Sequence, residues 1–273
     1  MLGPVFQWEL VRSGRQPWHW WARVLYVGLL LFFLAAAFGD ATRYAAGTQS
    51  HQMLAKIGQQ FYGYFSLCQL LAVLLLAPIY AATSISEEKT RQTLQYLLTT
   101  QLREAEIVLS KIGMAVFRVW EVLLCGLPLC ALSLLLGGVS PEAVLLDFLL
   151  ALATAWASCA LGVLWAVCVR RLVDVLFRVF AMQFLWYALP AIDWIARTAA
   201  MGFYIPRELQ ELNPFLAMYY SQTTGMAGAW ELYAASLAGT GLCALVWSLL
   251  ACRLLRPAWR RETERGGQAI NGT

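Results

Sequence analysis

Residues Phe61–Thr83 read FYGYFSLCQLLAVLLLAPIYAAT, 23 consecutive positions without a formal charge. A bilayer core of about 30 Å is crossed by about 20 apolar residues in a helix. This stretch is therefore long enough to span a membrane by itself. Two other runs meet the same test: Phe148–Val169 has 22 uncharged residues and Leu232–Cys252 has 21.

Three further runs reach span length only with their flanks. Val24–Phe38 follows Trp18, Trp20 and Trp21; Val122–Leu136 follows Arg118 and Glu121; Val179–Ile192 lies between Arg178 and Asp193. Trp and long basic side chains are favoured at the headgroups, which extends each run to about 20 residues. The count is six spans, at about 20–39, 61–83, 114–136, 144–169, 175–196 and 231–252. Pro128 and Pro190 are expected to kink their helices, as is common in spans.

Composition agrees. Of 273 residues, 60% are hydrophobic and 13% charged, whereas a soluble domain carries roughly 25% charged residues. The expected class is an all-α integral membrane protein, residues 1–273 forming one transmembrane domain. It comprises an N-terminal interfacial segment 1–19, the six spans, a charged loop 84–111 and a polar tail 253–273. The tail is expected to be disordered. A cleaved leader is the rival reading of the first run, because Ala35-Ala36-Ala37 resembles a cleavage site. The segment ahead of it is long for a leader and rich in Trp, which favours a retained span.

Lysine and arginine set the orientation. Arg12, Arg15, Arg23, Lys89, Arg91, Arg103, Lys111, Arg170, Arg171, Arg178, Arg253, Arg256, Arg260, Arg261 and Arg265 fall on one side, and Arg43, Lys56, Arg197 and Arg207 on the other. The bias predicts cytosolic N and C termini and a cytosolic loop 84–111. The net charge of +4 then reflects topology, and no nucleic-acid partner is expected.

The seven cysteines all lie within spans, no CxxC pair occurs, and the only histidines are His19 and His51. Neither a disulfide framework nor a metal site is expected. No GxxxxGK[ST] loop is present, so nucleotide hydrolysis has no phosphate cradle in this chain. Gly239-Thr240-Gly241-Leu242-Cys243-Ala244 matches a dinucleotide fingerprint in letters only, since it lies in an uncharged span with no preceding strand. Glu87-Glu88 resembles part of an intramembrane protease pair, but position 92 is Gln and no span holds a His. No catalytic residue is assigned.

Small residues recur every four positions at Ser158, Gly162 and Ala166, and at Ala235 and Gly239. That spacing permits close helix approach, within one subunit or between two. Arg118 and Glu121, i and i+3 on one face, form a candidate polar pair near the inner gate. Asp147 and Asp193 lie near the outer ends of their spans and are expected to be solvated. The connection Arg197–Glu231 carries Phe203, Tyr204, Phe215, Tyr219, Tyr220, Pro206 and Pro214, and short helices hugging the interface are expected there.

The charged loop reads SEEKTRQTLQYLLTTQLREAEIVLSK over Ser86–Lys111. Thr90, Leu94, Leu97 and Leu98 share one helical face, with Leu102 prolonging it; Glu88, Gln92, Gln95 and Thr99 occupy the other. By pattern alone, such a helix either rests on the headgroups or receives a partner. A second helix is expected from Arg103 through Lys111 into the third span.

At this loop the chain resembles the membrane (permease) subunit of a type-2 ATP-binding-cassette (ABC) exporter. That family carries Ile, Glu-Lys or Glu-Arg, Gly-Thr-Leu-Glu, two leucines, Thr-Pro-Leu, Glu-Ile and Gly-Lys in order. Here the matching residues are Ile85, Glu88-Lys89, Thr93-Leu94, Leu97-Leu98, Thr100, Leu102, Glu106-Ile107 and Lys111. Gln92, Gln95, Gln101 and Ser110 depart from the pattern, and losing Gly and Pro softens the break between the two short helices. Asn213-Pro214-Phe215 also resembles an Asn-Pro found in such permeases.

The resemblance implies a complex of two membrane subunits, as a homo- or heterodimer, with two ATPase subunits that bind ATP and Mg. It implies a coupling helix docking on the ATPase through Glu87, Glu88, Thr90, Leu94, Leu97, Leu98 and Leu102. It also implies an interfacial elbow helix at about Pro4–Arg15 and a multi-pass location in a bacterial-type cytoplasmic (inner) membrane. The alternative is a stand-alone secondary transporter or channel. Such proteins usually show more spans, an internal repeat or midplane charges, and none is visible here.

Overall fold

The structure is a computed structural model and describes residues 17–44, 50–90, 104–198, 205–224 and 226–271. The elbow expected at Pro4–Arg15 and the loop residues 91–103 lie outside the described residues. Nine helices occur among the described residues, with no strand. They are α1 (Pro17–Tyr44), α2 (Ser50–Thr90), α3 (Glu104–Cys125), α4 (Leu127–Leu136), α5 (Pro141–Cys168), α6 (Leu172–Thr198), α7 (Arg207–Glu211), α8 (Pro214–Thr224) and α9 (Met226–Asn271).

Five of these helices are long and apolar enough to cross a membrane. A sixth crossing exists if α3 and α4, bent by 42° between them, form one broken span. The break falls at Gly126. A Cβ there would meet Leu30 Cδ1 at 2.9 Å and Tyr26 Cε1 at 3.0 Å, so the missing side chain lets α1 press into the bend. Pro128 in the first turn of α4 lacks an N–H that would have gone unpaired there. Pro190, by contrast, lies inside an uninterrupted α6.

α5 is the centre of the bundle and packs against α2, α9, α3 and α6. Its buried face is rich in small residues, including Ala151, Ala155, Ser158, Gly162 and Ala166. A Cβ on Gly162 would lie 3.1 Å from Ala81 Cβ and 3.2 Å from the Pro78 carbonyl oxygen. The small-residue row therefore serves close packing of α5 on α2 within the subunit. Gly239 in α9 likewise faces Leu212, whose Cδ2 would lie 2.9 Å from an added Cβ.

Two helices are far longer than a span needs. α2 has 41 residues, about 60 Å at 1.5 Å per residue, and so projects beyond a 30 Å core. α9 has 46 residues and continues through the polar tail to Asn271, correcting the expectation of a disordered tail.

The connection after α6 forms the short helices α7 and α8. Asn213 is fully buried and caps α8: its Oδ1 accepts from Phe215 N–H at 3.0 Å, and its Nδ2 donates to the Trp186 carbonyl at 2.9 Å. α8 then folds back onto α9 and α2. Asp193 fastens the same connection, accepting from Ile205 N–H at 2.9 Å and from Arg197 Nε at 2.6 Å. It is buried rather than solvated as its place near a span end suggests, because the returning chain covers it.

Candidate functional site

Residues 91–103 connect α2 to α3, and the feet of this connection are tied to each other and to the bundle. The last turns of α2 carry Glu87, Glu88, Lys89 and Thr90. Glu88 forms an ion pair with Lys111 of α3, whose side chain is only 2% exposed. Lys89 Nζ donates at 2.8 Å to the Val167 carbonyl, in the last turn of α5. The final carbonyls of a helix lack internal partners and carry partial negative charge, so a lysine is well placed there. Arg256 of α9 pairs with Glu104 in the first turn of α3 at 2.7 Å. Thr90 Oγ1 donates to the Ser86 carbonyl at 2.8 Å, within its own helix.

Of the loop residues singled out by sequence, Glu87 is exposed and Glu88 turns inward to Lys111. Leu94, Leu97, Leu98 and Leu102 lie outside the described residues. Arg118 and Glu121 lie on α3, both half-buried. Glu121 forms an ion pair with Arg23 of α1, so this position links two spans, a contact that spacing along one helix cannot reveal.

At the opposite end of α5 lies a second polar centre. Asp147 is fully buried, contrary to the expectation of a solvated residue. Tyr62 and Ser66 of α2 donate to its Oδ2, the latter at 2.9 Å, and Tyr233 of α9 donates to its Oδ1. The Tyr233 hydroxyl is also 3.1 Å from Ser221 Oγ of α8. Three hydroxyls from two helices satisfy the carboxyl oxygens. Asp147 thereby joins α2, α5, α8 and α9. Tyr62 and Ser66 stand i, i+4, and that spacing was the available sequence signal.

Beside this centre, α2 and α8 enclose an open cleft of about 440 Å³. Tyr64, Phe215 and Tyr219 supply rings, Gln59 and Gln222 supply amides, and Ser66 reaches the wall. None of the lining side chains carries a formal charge. Deeper in the bundle, the buried amides of Gln69 on α2 and Gln183 on α6 have no hydrogen-bond partner among the described residues. Among the described residues, no cluster of three His, Cys, Asp or Glu is arranged to hold a metal.

The described helices give a multi-pass membrane body with polar groups inside it and a charged connection clasped to one end. No curated protein matches the chain. Residues 7–200 match the model of a family described as ABC-2 family transporter protein. That match covers more than two thirds of the 273 residues. Together with five to six apolar spans in an all-helical body, it establishes that the chain belongs to the ABC-2 family of transporter proteins.

Proposed function

We propose that the chain is the membrane subunit of an ABC exporter that forms the substrate path and is driven through residues 84–111 by a separate ATPase. ATP and Mg are bound by that partner. The complex contains a second permease subunit, identical or homologous, and sits in a bacterial-type cytoplasmic membrane with both termini and the 84–111 connection in the cytosol. The lysine and arginine bias supports this orientation, and membership of the family supports an ATPase partner.

The observation that carries the reading is the anchoring of the connection's two feet. Glu88–Lys111 joins α2 to α3, Lys89 seizes the end of α5, and Arg256–Glu104 joins α3 to α9. A push on 91–103 then reaches four spans through ion pairs and rigid helices. Polar groups within the apolar bundle, namely Asp147, Gln69 and Gln183, are costly in lipid and mark a solute path. The outer faces of α1 (Trp21, Leu25, Phe32) and α6 (Phe177, Phe184, Leu185) are exposed and apolar, suited to lipid or to a second permease subunit.

Co-purification with the ATPase tests the assignment. Burial of one leucine contributes about 1.5–3 kcal/mol, and an unpaired charge in its place costs several more. Leu94→Asp or Leu97→Asp therefore abolishes ATPase association while membrane insertion persists, and Gln95→Ala on the opposite face is mild. Retained association and retained ATP-dependent activity in both Asp variants would refute the docking face and favour a stand-alone secondary transporter or channel.

A further inference from the structure

We propose that the corner between α5 and α6 is a docking site for an anionic phospholipid, whose headgroup phosphate is held by Arg170, Arg171 and Arg178. The inference needs only the membrane spans; coupling to an ATPase plays no part in it.

Depth places the corner among lipid headgroups. α5 has 28 residues and α6 has 27, about 42 and 40 Å at 1.5 Å per residue. A bilayer with its headgroup layers is about 40–45 Å thick. Residues 169–171 alone join the two helices, so both spans leave the lipid core here. Trp165, in the last turn of α5, is a residue type favoured at that depth.

Charge selects the headgroup. Arg170, Arg171 and Arg178 are exposed, and none of them forms an ion pair among the described residues. Exposed Asp174 is the sole acidic residue between Val169 and Val179. Three arginines against one aspartate leave a net charge of +2. Elsewhere at this end Lys111 is matched by Glu88 and Arg256 by Glu104. Basic groups beside a span attract anionic lipid, and here the protein leaves their charge for the lipid to balance.

Geometry prepares one of the three. Arg178 does not turn to Asp174, one helical turn away. It lies over the Trp165 ring instead, with Cζ 5.0 Å from the ring centroid. Trp165 is itself fixed, its Nε1 donating to Met182 Sδ at 3.2 Å. Stacking on a ring occupies a guanidinium's face and leaves its N–H edge, the fork that matches phosphate oxygens two at a time. Arg171 stands seven residues before Arg178, two turns away on the same face. Deeper along that face, Met182 and Leu185 are 41% and 62% exposed, an apolar track for an acyl chain. A soluble phosphate has no chain to lay there, and a zwitterionic lipid brings its own cation towards the arginines.

The test uses the full chain in dodecyl maltoside, without ATPase or ATP. Native mass spectrometry follows competition between phosphatidylglycerol and phosphatidylcholine with identical acyl chains. Preference for phosphatidylglycerol by about tenfold or more is expected. Arg178→Gln weakens its retention about fivefold, and the double variant Arg170→Gln/Arg171→Gln about twentyfold. Arg207→Gln, exposed on α7 beyond the opposite end of α6, changes nothing. Equal retention of the two lipids, an equal loss in Arg207→Gln, or a preference untouched by the corner variants overturns the proposal. So does a corner that serves the ATPase instead: no lipid preference in the chain alone, with the double variant releasing the ATPase from the complex. Should Arg178→Gln fail to fold, the double variant, wholly within the exposed turn, decides. Failure of the lipid site leaves the permease reading standing.

Discussion

Replacing Glu88 by Gln leaves the Lys111 ammonium without its carboxylate at a site where the lysine side chain is 2% exposed and Glu88 itself only 16%. Breaking a buried pair by removing one partner costs about 3–5 kcal/mol, because the remaining charge stays desolvated. At roughly 2–3 °C per kcal/mol for a chain of this size, the unfolding midpoint falls by roughly 6–15 °C. Lys111→Met removes the more deeply buried charge and leaves Glu88 nearer to water, so its cost is smaller, about 2 kcal/mol. The double variant Glu88→Gln/Lys111→Met leaves no charge in the clasp and recovers much of the loss, giving a coupling energy of at least about 2 kcal/mol. Thermal unfolding of the four proteins in one lipid nanodisc, followed by tryptophan fluorescence, closes the cycle. The ATPase complex of the double variant should hydrolyse ATP yet move less substrate per ATP, since the two feet are no longer locked together. Additive single effects, with coupling below about 0.5 kcal/mol, would refute the clasp.

Two other perturbations probe the bundle and its outer connection. Gly162→Leu places a large side chain where even a Cβ is 3.1–3.3 Å from Ala81 and Pro78 of α2; overpacking of about 1–3 kcal/mol should lower the unfolding midpoint, and Gly162→Ala should do so less. Asp193→Ala removes the carboxylate that accepts from Ile205 N–H and Arg197 Nε, and amide exchange over residues 205–212 should quicken by at least about tenfold if that carboxylate fastens the connection; unchanged exchange would show that other contacts, such as Ser236 Oγ donating to the Glu211 carbonyl at 2.8 Å, suffice.

The spans were legible because the bilayer sets their length. Phe61–Thr83, Phe148–Val169 and Leu232–Cys252 are too long and too free of charge for another role, and each lies within one helix apart from Val169, which caps α5. The third span was harder. Gly126 and Pro128 announce a break, but the reason for it, α1 pressing on Gly126, is a contact between distant segments. Asp147 and Asp193 were misjudged for one reason. Their places near span ends suggest water, yet α2 extends past the membrane and α7 and α8 fold back, so both carboxylates are covered. The Glu88–Lys111 and Lys89–Val167 contacts span 23 and 78 residues, and no local periodicity encodes them. The polar tail was assigned disorder from composition, whereas the long apolar helix before it carries the helical backbone onward. The docking role proposed for Leu94, Leu97 and Leu98 rests on the resemblance to exporter permeases, and these residues lie outside the described residues.

The central claim is that residues 91–103 meet the ATPase directly. A photo-reactive p-benzoylphenylalanine in place of Leu97, irradiated in native membranes with the partner present, tests it at one position. The account predicts a cross-link joining the chain to the ATPase, lost when the ATPase is stripped from the membrane and absent with the same probe at exposed Leu135, near the C-terminal end of α4. A probe at Leu97 that cross-links only to lipid or within the chain, with the ATPase bound, would contradict it.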